Sequence, residues 1–249
     1  MKSIGWFTTG RGPGSLGLFS TVRSRIRNGE IEARISFVFL NREVKGNHNR
    51  AKLIAMAEED GIPVIILPSD GFRPDLKASD LEAWRSAYGE RMRELISAHP
   101  MDFGVLAGYM LILDPETCRE YDIINLHPAL PGTYQGTWED IVRRVAEGDD
   151  RAYGSMVHVC TPELDRGATV AYDEFDITDL RRDIRDMGLL AKAIRAREAA
   201  REVPLLMETV RLLAEGEVTL DHGMLRDAEG RPIEESPNLA KAIDAAVGR

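Results

Sequence analysis

The chain has 249 residues, of which 43% are hydrophobic and 29% charged, and its formal net charge at pH 7 is −9. This length allows one large domain or two small ones with a substantial core, and the composition excludes an intrinsically disordered chain. The acidic balance argues against a nucleic-acid-binding protein, because phosphate backbones attract basic surfaces.

The two cysteines, Cys118 and Cys160, do not form a Cys-x-x-Cys pair. They provide neither a disulfide framework nor a zinc site, which indicates a reducing, cytoplasmic setting. The apolar run that begins at Ile4 is too short for a signal peptide or a membrane span. We therefore expect a cytoplasmic protein with no membrane partner.

Short apolar runs alternate with helical patterns along the first half of the chain. The runs predict buried strands at 4–8, 33–40, 62–67, 103–108 and 123–126. The stretches between them predict helices that end near Arg27 and that span 47–60 and 81–98. This alternation is typical of an α/β fold with a largely parallel twisted sheet and helices on both faces.

The second half of the chain predicts a different topology. After a helix at 137–148, strands at 153–161 and 168–177 are joined by a short polar turn and should pair antiparallel. A helix at 183–216 is expected to be interrupted near Pro204, and a hairpin at 217–232 is expected to turn at 227–230. We expect one domain, 1–235, and a C-terminal tail, 236–249, that is polar or forms a short helix.

A glycine-rich loop follows the first strand, and Gly12, Gly14 and Gly17 satisfy Gly-x-Gly-x-x-Gly. A strand, a glycine loop and a helix together place backbone N–H groups at an anion. A dinucleotide fold also needs an acidic residue at the end of the second strand, but this strand ends in Asn41-Arg42. We therefore predict phosphate binding at the loop, the alternative being a tight turn without a ligand.

Three polar residues indicate acyl-transfer chemistry. Asn125 and His127 flank one residue of a strand, so their side chains should project to the same side. Their N–H groups could stabilise a developing oxyanion, and the carboxylate of Asp165, in the turn that follows the next strand, could accept the proton of an attacking amine. The structural alternatives are a strand-end cap for His127 and a self-bonded turn residue for Asp165.

Two neighbouring residues are more ambiguous. His158 precedes Asp165 by seven residues and either lines the pocket or is a core histidine. Cys160 lies on the same strand face, where burial as a small hydrophobic residue is favoured over a Cys/His nucleophile. The histidines of the chain show no metal-ligand spacing, so we expect no metal ion.

Two segments together resemble the formyltetrahydrofolate-dependent formyltransferases. One is Asn-Leu-His-Pro-Ala-Leu-Pro, from Asn125, and the other is His-Val-Cys-Thr-Pro-Glu-Leu-Asp-Arg-Gly, from His158. A third segment, Ala-Gly-Tyr-Met at 107–110, is also similar, and the resemblance extends from about Ile4 to the region of Pro232. It implies a Rossmann-like formyltransferase fold and formyl transfer from 10-formyltetrahydrofolate to a primary amine.

The resemblance is greatest to the branch that formylates phosphoribosylglycinamide in purine biosynthesis, which implies a phosphorylated small-molecule amine as acceptor. It assigns the catalytic roles to Asn125, His127 and Asp165. The implied folate-binding residues are Leu106, Met110, Leu111, Leu113, Val159 and Thr161. The implied acceptor-binding residues are Gly10, Arg11, Gly12, Gly14, Ser15, Tyr109, Arg197 and Glu198. A homodimer is compatible with the sequence.

The chain departs from this family at two places. Its first loop is longer than the usual Ser-Gly-x-Gly-Ser-Asn-Leu and lacks the Asn, and Leu111 stands where the family often has Arg. Other functions therefore stay open: formylation of another amine such as an amino sugar nucleotide, formyltetrahydrofolate deformylation with water as acceptor, or a non-enzymatic Rossmann-type nucleotide sensor. Formylation of methionyl-tRNA is disfavoured by the acidic net charge.

Overall fold

The fold is a mostly parallel seven-stranded sheet, as it appears in a computed structural model that describes residues 1–248. The strands are β1 (Lys2–Thr8), β2 (Ala33–Leu40), β3 (Val64–Ile66), β4 (Phe103–Leu106), β5 (Ile123–His127), β6 (Ala152–Val159) and β7 (Thr169–Asp176). Their order is β3-β2-β1-β4-β5-β6-β7; the first five strands pair parallel, and β6 pairs antiparallel with both β5 and β7. The predicted fold class is confirmed.

Helices fill both faces of the sheet. They are α1 (Pro13–Arg27), α2 (His48–Glu59), α3 (Pro74–Ser79), α4 (Leu81–Ile96), α5 (Pro115–Glu120), α6 (Trp138–Glu147), α7 (Thr178–Asp183), α8 (Met187–Glu215) and α9 (Ala240–Val247). Side chains of Asn47, Asp80, Thr137 and Asp186 accept N–H groups in the first turns of α2, α4, α6 and α8. Such caps define helix starts. No helix in residues 1–248 has the length and apolar character needed to cross a bilayer.

Two apolar layers result from the alternation of side chains along the central strands. Trp6 belongs to the layer shared with α1, α2 and α8, whereas its neighbour Phe7 belongs to the layer shared with α4. A third cluster packs α6 and the start of α8 against β6 and β7. The largely buried strands β1, β4 and β5 are therefore fixed from both sides, which makes their carboxyl ends a rigid support for a site.

Two predicted details are wrong. Helix α8 runs through Pro204 without a break, since Leu205 and Leu206 are fully buried in the core and their packing outweighs the lost backbone hydrogen bond. The hairpin of β8 (Val218–Asp221) and β9 (Met224–Asp227) reverses at His222 and Gly223, not at 227–230. Their φ angles of +48° and +84° fit the turn type that matches strand twist.

The segment 227–230 forms a second turn, which leads to a bridge between Arg226 and Pro232. Further along, residues 236–239 cover part of the outer edge of β7. The backbone of Tyr172 donates to Pro237 and accepts from Leu239. Helix α9 then buries Ile243 in the main core.

A buried ion pair connects α8 to β7. Arg201 donates from Nε and Nη2 to the two oxygens of Asp173, at 2.6 and 2.7 Å, and both side chains are almost fully buried. Its Nη1 reaches Asp244 on α9, at 2.7 Å, but that carboxylate is 48% exposed. The two contacts of one guanidinium therefore differ in how much water surrounds them.

We expect Arg201→Met to lower the free energy of unfolding by about 3–5 kcal/mol, because it leaves the Asp173 carboxylate buried without a partner. Asp244→Asn is the matched control and should cost less than about 1 kcal/mol, since its ion pair is half exposed. Urea unfolding of the two variants measures both values. Equal losses in the free energy of unfolding would mean that the buried ion pair stabilises the fold no more than the exposed one does.

Candidate active site

The candidate active site lies where the carboxyl ends of β1, β4 and β5 meet. In open α/β sheets this edge, at the change in strand order, is where ligands bind. Thr9, just after β1, donates its N–H and its hydroxyl to the carbonyl of Gly108, at 3.1 and 2.8 Å. Gly108 has a φ of +69°, and any side chain there would overlap Ser15. The glycine loop and the segment after β4 are therefore in direct contact.

The paired strands β5 and β6 bring three polar side chains together on one face. Asn125 and His127 point to the same side, as the strand alternation predicts, and Asn125 is directly opposite His158. The Nδ2 atom of Asn125 donates to Nε2 of His158 at 3.2 Å, because His158 donates its Nδ1–H to the carbonyl of Val159 at 2.9 Å. One N–H of the Asn125 amide thus orders the site, and the other remains for a ligand.

Asp165 completes this group from the turn after β6. Its Oδ2 lies 3.7 Å from Nδ1 of His127, and its Oδ1 lies 3.6 Å from Nε2 of His158. Its φ is +54°, a conformation that costs free energy for a residue other than glycine. The N–H of Gly136, in the loop after β5, donates to Oδ2 at 3.3 Å. The loop and the turn together hold the carboxylate between the two imidazoles.

His127 is buried, with a relative exposure of 3%, and one of its ring nitrogens already makes a hydrogen bond within the protein. Nε2 contacts the carbonyl of Tyr134 at 2.9 Å, and a carbonyl can only accept, so this nitrogen carries a proton. Burial lowers the pKa of His127 below its ordinary value, and the nearby His158 lowers it further, although the Tyr134 carbonyl and Asp165 oppose the shift. At neutral pH the ring is neutral, with the lone pair of Nδ1 facing the site.

Asp165 keeps its negative charge despite the same surroundings. Burial opposes ionisation, but contact with His158, the nearby His127 and the Gly136 N–H together hold the pKa of this carboxyl below its ordinary value. A neutral imidazole beside a carboxylate is a proton acceptor whose protonated form is stabilised by the neighbouring charge. The Asn125 amide adds a donor for an oxyanion. The group can therefore support attack of an amine on a carbonyl carbon.

The predicted folate-binding residues separate into exposed and buried side chains. Met110 is 63% exposed, and Leu111 and Thr161 are partly exposed beside the site. Leu106 and Leu113 are buried in the layer beneath it. Val159 lies in the layer on the opposite face, because it is one residue away from His158 in β6. The Val159 side chain therefore cannot contact a folate on the Asn125 side.

The predicted acceptor-binding residues converge less completely. Gly10, Arg11, Gly12, Gly14 and Ser15 do form the loop and first turn of α1, with Gly12 at the cap position.

The Tyr109 ring is in the core instead. It packs against Phe7 and Phe39, and its hydroxyl is 3.7 Å from Sδ of Met92. Only the backbone of Tyr109 remains available at the site.

The structure also separates Arg197 from Glu198. Arg197 donates to both oxygens of Asp179, at 2.8 and 2.6 Å, and to the carbonyl of Asp176. Consecutive helical residues point about 100° apart, whereas residues at i and i+3 share a face. The partner of Glu198 on α8 is therefore Arg195, which the helical spacing of the sequence would have identified.

Arg195 and Glu198 form a partly buried network. Glu198 is fully buried, accepts from the Ser155 hydroxyl at 2.7 Å and contacts the Arg195 guanidinium. Arg195 also bonds Glu202 at 2.8 Å and lies over the ring of Trp138, 5.0 Å from its centre. Burial, reinforced by the charge of Glu202, raises the pKa of Glu198, while Arg195 and Ser155 oppose this shift.

Two other sequence expectations concern cysteine and metal. Cys160 is buried, and burial raises the pKa of its thiol well above the ordinary value, so it has the environment of a small core residue. Within residues 1–248, no three side chains of the metal-binding types converge on one point.

Comparison with known proteins identifies the family. The formyl transferase family model matches residues 14–198, well over half of the chain. A phosphoribosylglycinamide formyltransferase from Haemophilus influenzae is 29% identical over 172 residues, 68% of this chain and 71% of that protein. One from Dictyostelium discoideum is 35% identical over 112 residues, 41% of this chain and 54% of that protein.

Solved structures show the same fold. The phosphoribosylglycinamide formyltransferase of Coxiella burnetii superposes with a TM-score of 0.71 at 22% identity, covering 95% of this chain and 99% of that one. A formyltetrahydrofolate deformylase of Pseudomonas putida gives 0.64 at 18% identity, covering 90% and 69%. The chain belongs to the formyl transferase family. It is a folate-dependent formyltransferase whose formyl donor is 10-formyltetrahydrofolate.

We expect the pKa of His127 to lie below about 6.5, and to fall further in Asp165→Asn, because that change removes the charge that favours the imidazolium. An NMR titration of the ring resonances measures both values, with His127→Gln used to assign the signal. Since the unfolded ring takes up its proton at higher pH, this group should reduce stability as the pH falls below about 6.5. A pKa that rises in Asp165→Asn would contradict this description of the site.

Proposed function

We propose that this enzyme transfers the formyl group of 10-formyltetrahydrofolate to the primary amine of a phosphorylated small molecule, with phosphoribosylglycinamide as the first candidate. The observation that carries the proposal is the group formed by Asn125, His127 and Asp165. It combines a free amide N–H and an unprotonated imidazole nitrogen at the end of β5 with an ionised carboxylate from the turn after β6.

These residues account for each proton in the reaction. The amine nitrogen attacks the formyl carbon, a C–N bond forms, and the carbonyl oxygen becomes an oxyanion that the free N–H of Asn125 stabilises. Nδ1 of His127 takes the proton lost by the amine, and Asp165 stabilises the resulting imidazolium. The imidazolium then returns the proton to N10 of the folate as the bond between N10 and the formyl carbon breaks.

The surroundings of the group fit a folate on one side. Met110, Leu111 and Thr161 expose apolar atoms next to the turn that carries Asp165. A flat heterocycle suits such an apolar wall with a few backbone hydrogen-bonding groups, as is usual for cofactor sites. The curved segment Glu163–Gly167 is held in place by Gln135, which donates from Nε2 to the carbonyl of Leu164 at 2.9 Å.

The acceptor side supports an anionic group. Gly12 caps α1 without a side chain, no acidic residue lies in the first turn, and Arg11 is exposed on the loop. Backbone N–H groups and the helix dipole there favour a phosphate. Arg195 and Glu198 offer a cation and a buried carboxyl group for the polar part of an acceptor. The names of the similar proteins from Haemophilus influenzae and Dictyostelium discoideum agree with a phosphoribosyl amine.

His127→Ala should lower kcat for formyl transfer by roughly a hundredfold or more, because it removes the proton acceptor at the reacting centre. Asp165→Asn should be comparably severe, and it leaves the backbone undisturbed, since Asn tolerates a positive φ. His222→Asn, at the distant hairpin turn, is the matched control and should retain full turnover. The assay follows both formyl-amine and formate, so that water as acceptor is recognised by formate release. Near-normal turnover in His127→Ala and Asp165→Asn would rule out this site.

Inorganic phosphate should inhibit competitively against the amine acceptor, but weakly or not at all against 10-formyltetrahydrofolate, because it occupies the loop before α1. Gly14→Phe should raise KM for the acceptor at least about tenfold, since the space beside Gly14 is open and a bulky side chain would fill it, with little change in KM for the folate. Initial rates with both substrates varied provide the test. Efficient formylation of an uncharged amine without phosphate inhibition would refute a phosphorylated acceptor, while formyl transfer itself would stand.

A further inference from the structure

Arg50, in the first turn of α2, is buried beside the glycine loop without a carboxylate partner. Its relative exposure is 7%, and no Asp or Glu oxygen in residues 1–248 lies within ion-pair distance of it. Its guanidinium instead donates from Nε to the carbonyl of Thr9, at 2.8 Å, and from Nη1 to the carbonyl of Glu43. Buried charges are normally neutralised by a partner of opposite charge, so this arrangement is unusual.

The electrostatics around Arg50 leave its charge uncompensated. Burial lowers the pKa of Arg50, and the positive charge of nearby Arg42 lowers it further. Arg42 has its own carboxylate partner, Asp70, whereas Arg50 is neutralised only by carbonyl dipoles. The positive end of α1 lies on the other side of the same loop, again without an acidic residue in its first turn. An anion at the loop would face both positive charges.

Arg50 also fixes the shape of the loop. Gly10 has a φ of +58°, and a Cβ atom added to it would lie 3.2 Å from Cγ of Arg50, so the loop backbone packs on the arginine stem. Asn47 caps α2 by accepting the Arg50 N–H at 2.9 Å, and its Nδ2 donates to the carbonyl of Arg11 at 2.9 Å. Asn49 reaches the same carbonyl at 3.3 Å. The start of α2 therefore holds the carbonyls of two loop residues, Thr9 and Arg11.

This pattern leaves the N–H groups of Arg11 and Gly12 without a partner in the described residues, whereas those of Thr9 and Gly10 donate to the Gly108 carbonyl and the Thr8 hydroxyl. Because the carbonyls of Thr9 and Arg11 point to α2, the intervening backbone is fixed by side chains of α2 and not by a ligand. The match to the formyl transferase family begins at residue 14, so most of this loop lies outside it. The loop is held by α2 and by Gly108 after β4.

We infer that Arg50 is a positioning residue for the amine acceptor: it preforms the glycine loop and provides the buried positive charge that favours an acceptor carrying a phosphate. This inference rests on the proposed function, in which the loop receives that group. It explains how a loop with a proline and without the usual asparagine can still bind an anion. Arg50 acts through the loop backbone and takes no part in the proton transfers at His127.

The test compares Arg50→Met, Arg50→Lys and Arg42→Met. Arg50→Met should raise KM for the acceptor and Ki for inorganic phosphate by about tenfold to a hundredfold, the range expected for lost charged hydrogen bonds. Its kcat and its KM for the folate should stay within about twofold. Arg50→Lys keeps the charge but not the two-carbonyl contact and should recover part of the loss. Arg42→Met removes an equal charge that is already paired with Asp70, so it should change these constants by less than about threefold.

Hydrogen exchange measures the positioning role without any substrate. The hydrogen-bonded amides of Thr9 and Gly10 should exchange faster in Arg50→Met than in Arg42→Met, while those of β5 remain unchanged. Asn47→Ser keeps a cap for α2 but loses the bond to Arg11, so it should show a smaller effect of the same kind even if Arg50→Met folds poorly.

The outcomes separate the inference from the proposed function. Unchanged exchange in both loop variants, or an unchanged Ki for phosphate in Arg50→Met, would overturn the role of Arg50 and leave the proposed acceptor intact. A wild-type enzyme that phosphate does not inhibit would overturn the phosphorylated acceptor and, with it, the anion-binding part of the inference. Faster exchange together with a selective loss of acceptor and phosphate binding supports both.

Discussion

The antiparallel pairing of β6 with β5 is the constraint on which the candidate site depends. It places His158 opposite Asn125 and carries the chain back so that the next turn brings Asp165 to His127. A shift of one residue in this register would turn His158 to the other face of the sheet and put Val159 in its place. The apolar residues on the face opposite Asn125, Ile124 and Val157 among them, prevent such a shift because it would turn Val157 and Val159 to the polar side.

The geometry at His127 also explains how one residue can act as both base and acid. Its Nε2 proton is bound to the Tyr134 carbonyl, so proton exchange with a substrate is limited to Nδ1. Burial keeps Nδ1 unprotonated before the reaction, and Asp165 stabilises it once it is protonated. These opposite influences bring the two protonation states closer in free energy, which is what a proton-transferring residue requires. In a more exposed imidazole, burial would not keep Nδ1 unprotonated. Without the carboxylate, the protonated ring would not be stabilised.

Strand periodicity predicted much of the fold and the centre of the site. The alternation of apolar runs with helical patterns was sufficient to predict the parallel sheet. The Asn125-x-His127 spacing was sufficient to predict that the two side chains share a face. The contacts of the loop after β5 were not predictable from the sequence. They are made by backbone groups of Tyr134 and Gly136, and a backbone contact does not depend on the type of side chain. Helical spacing pairs Glu198 with Arg195 and not with Arg197, and the break expected at Pro204 underestimated packing around Leu205. The His222-Gly223 turn was missed because the stretch 227–230 carries turn residues as well, and it forms the second turn of this segment.

The covered edge of β7 has a consequence for how copies of this chain can associate. Proteins often form extended assemblies by adding a strand to an open sheet edge. Here one edge strand, β3, has three residues, and the other, β7, is occupied at Tyr172 by residues 237–239. Neither edge presents a long unpaired backbone, so continuation of the sheet from one molecule to the next is disfavoured at both ends. The short β3 and the covered middle of β7 therefore lower the tendency of this chain to pair edge to edge, the contact that leads to fibrous aggregation.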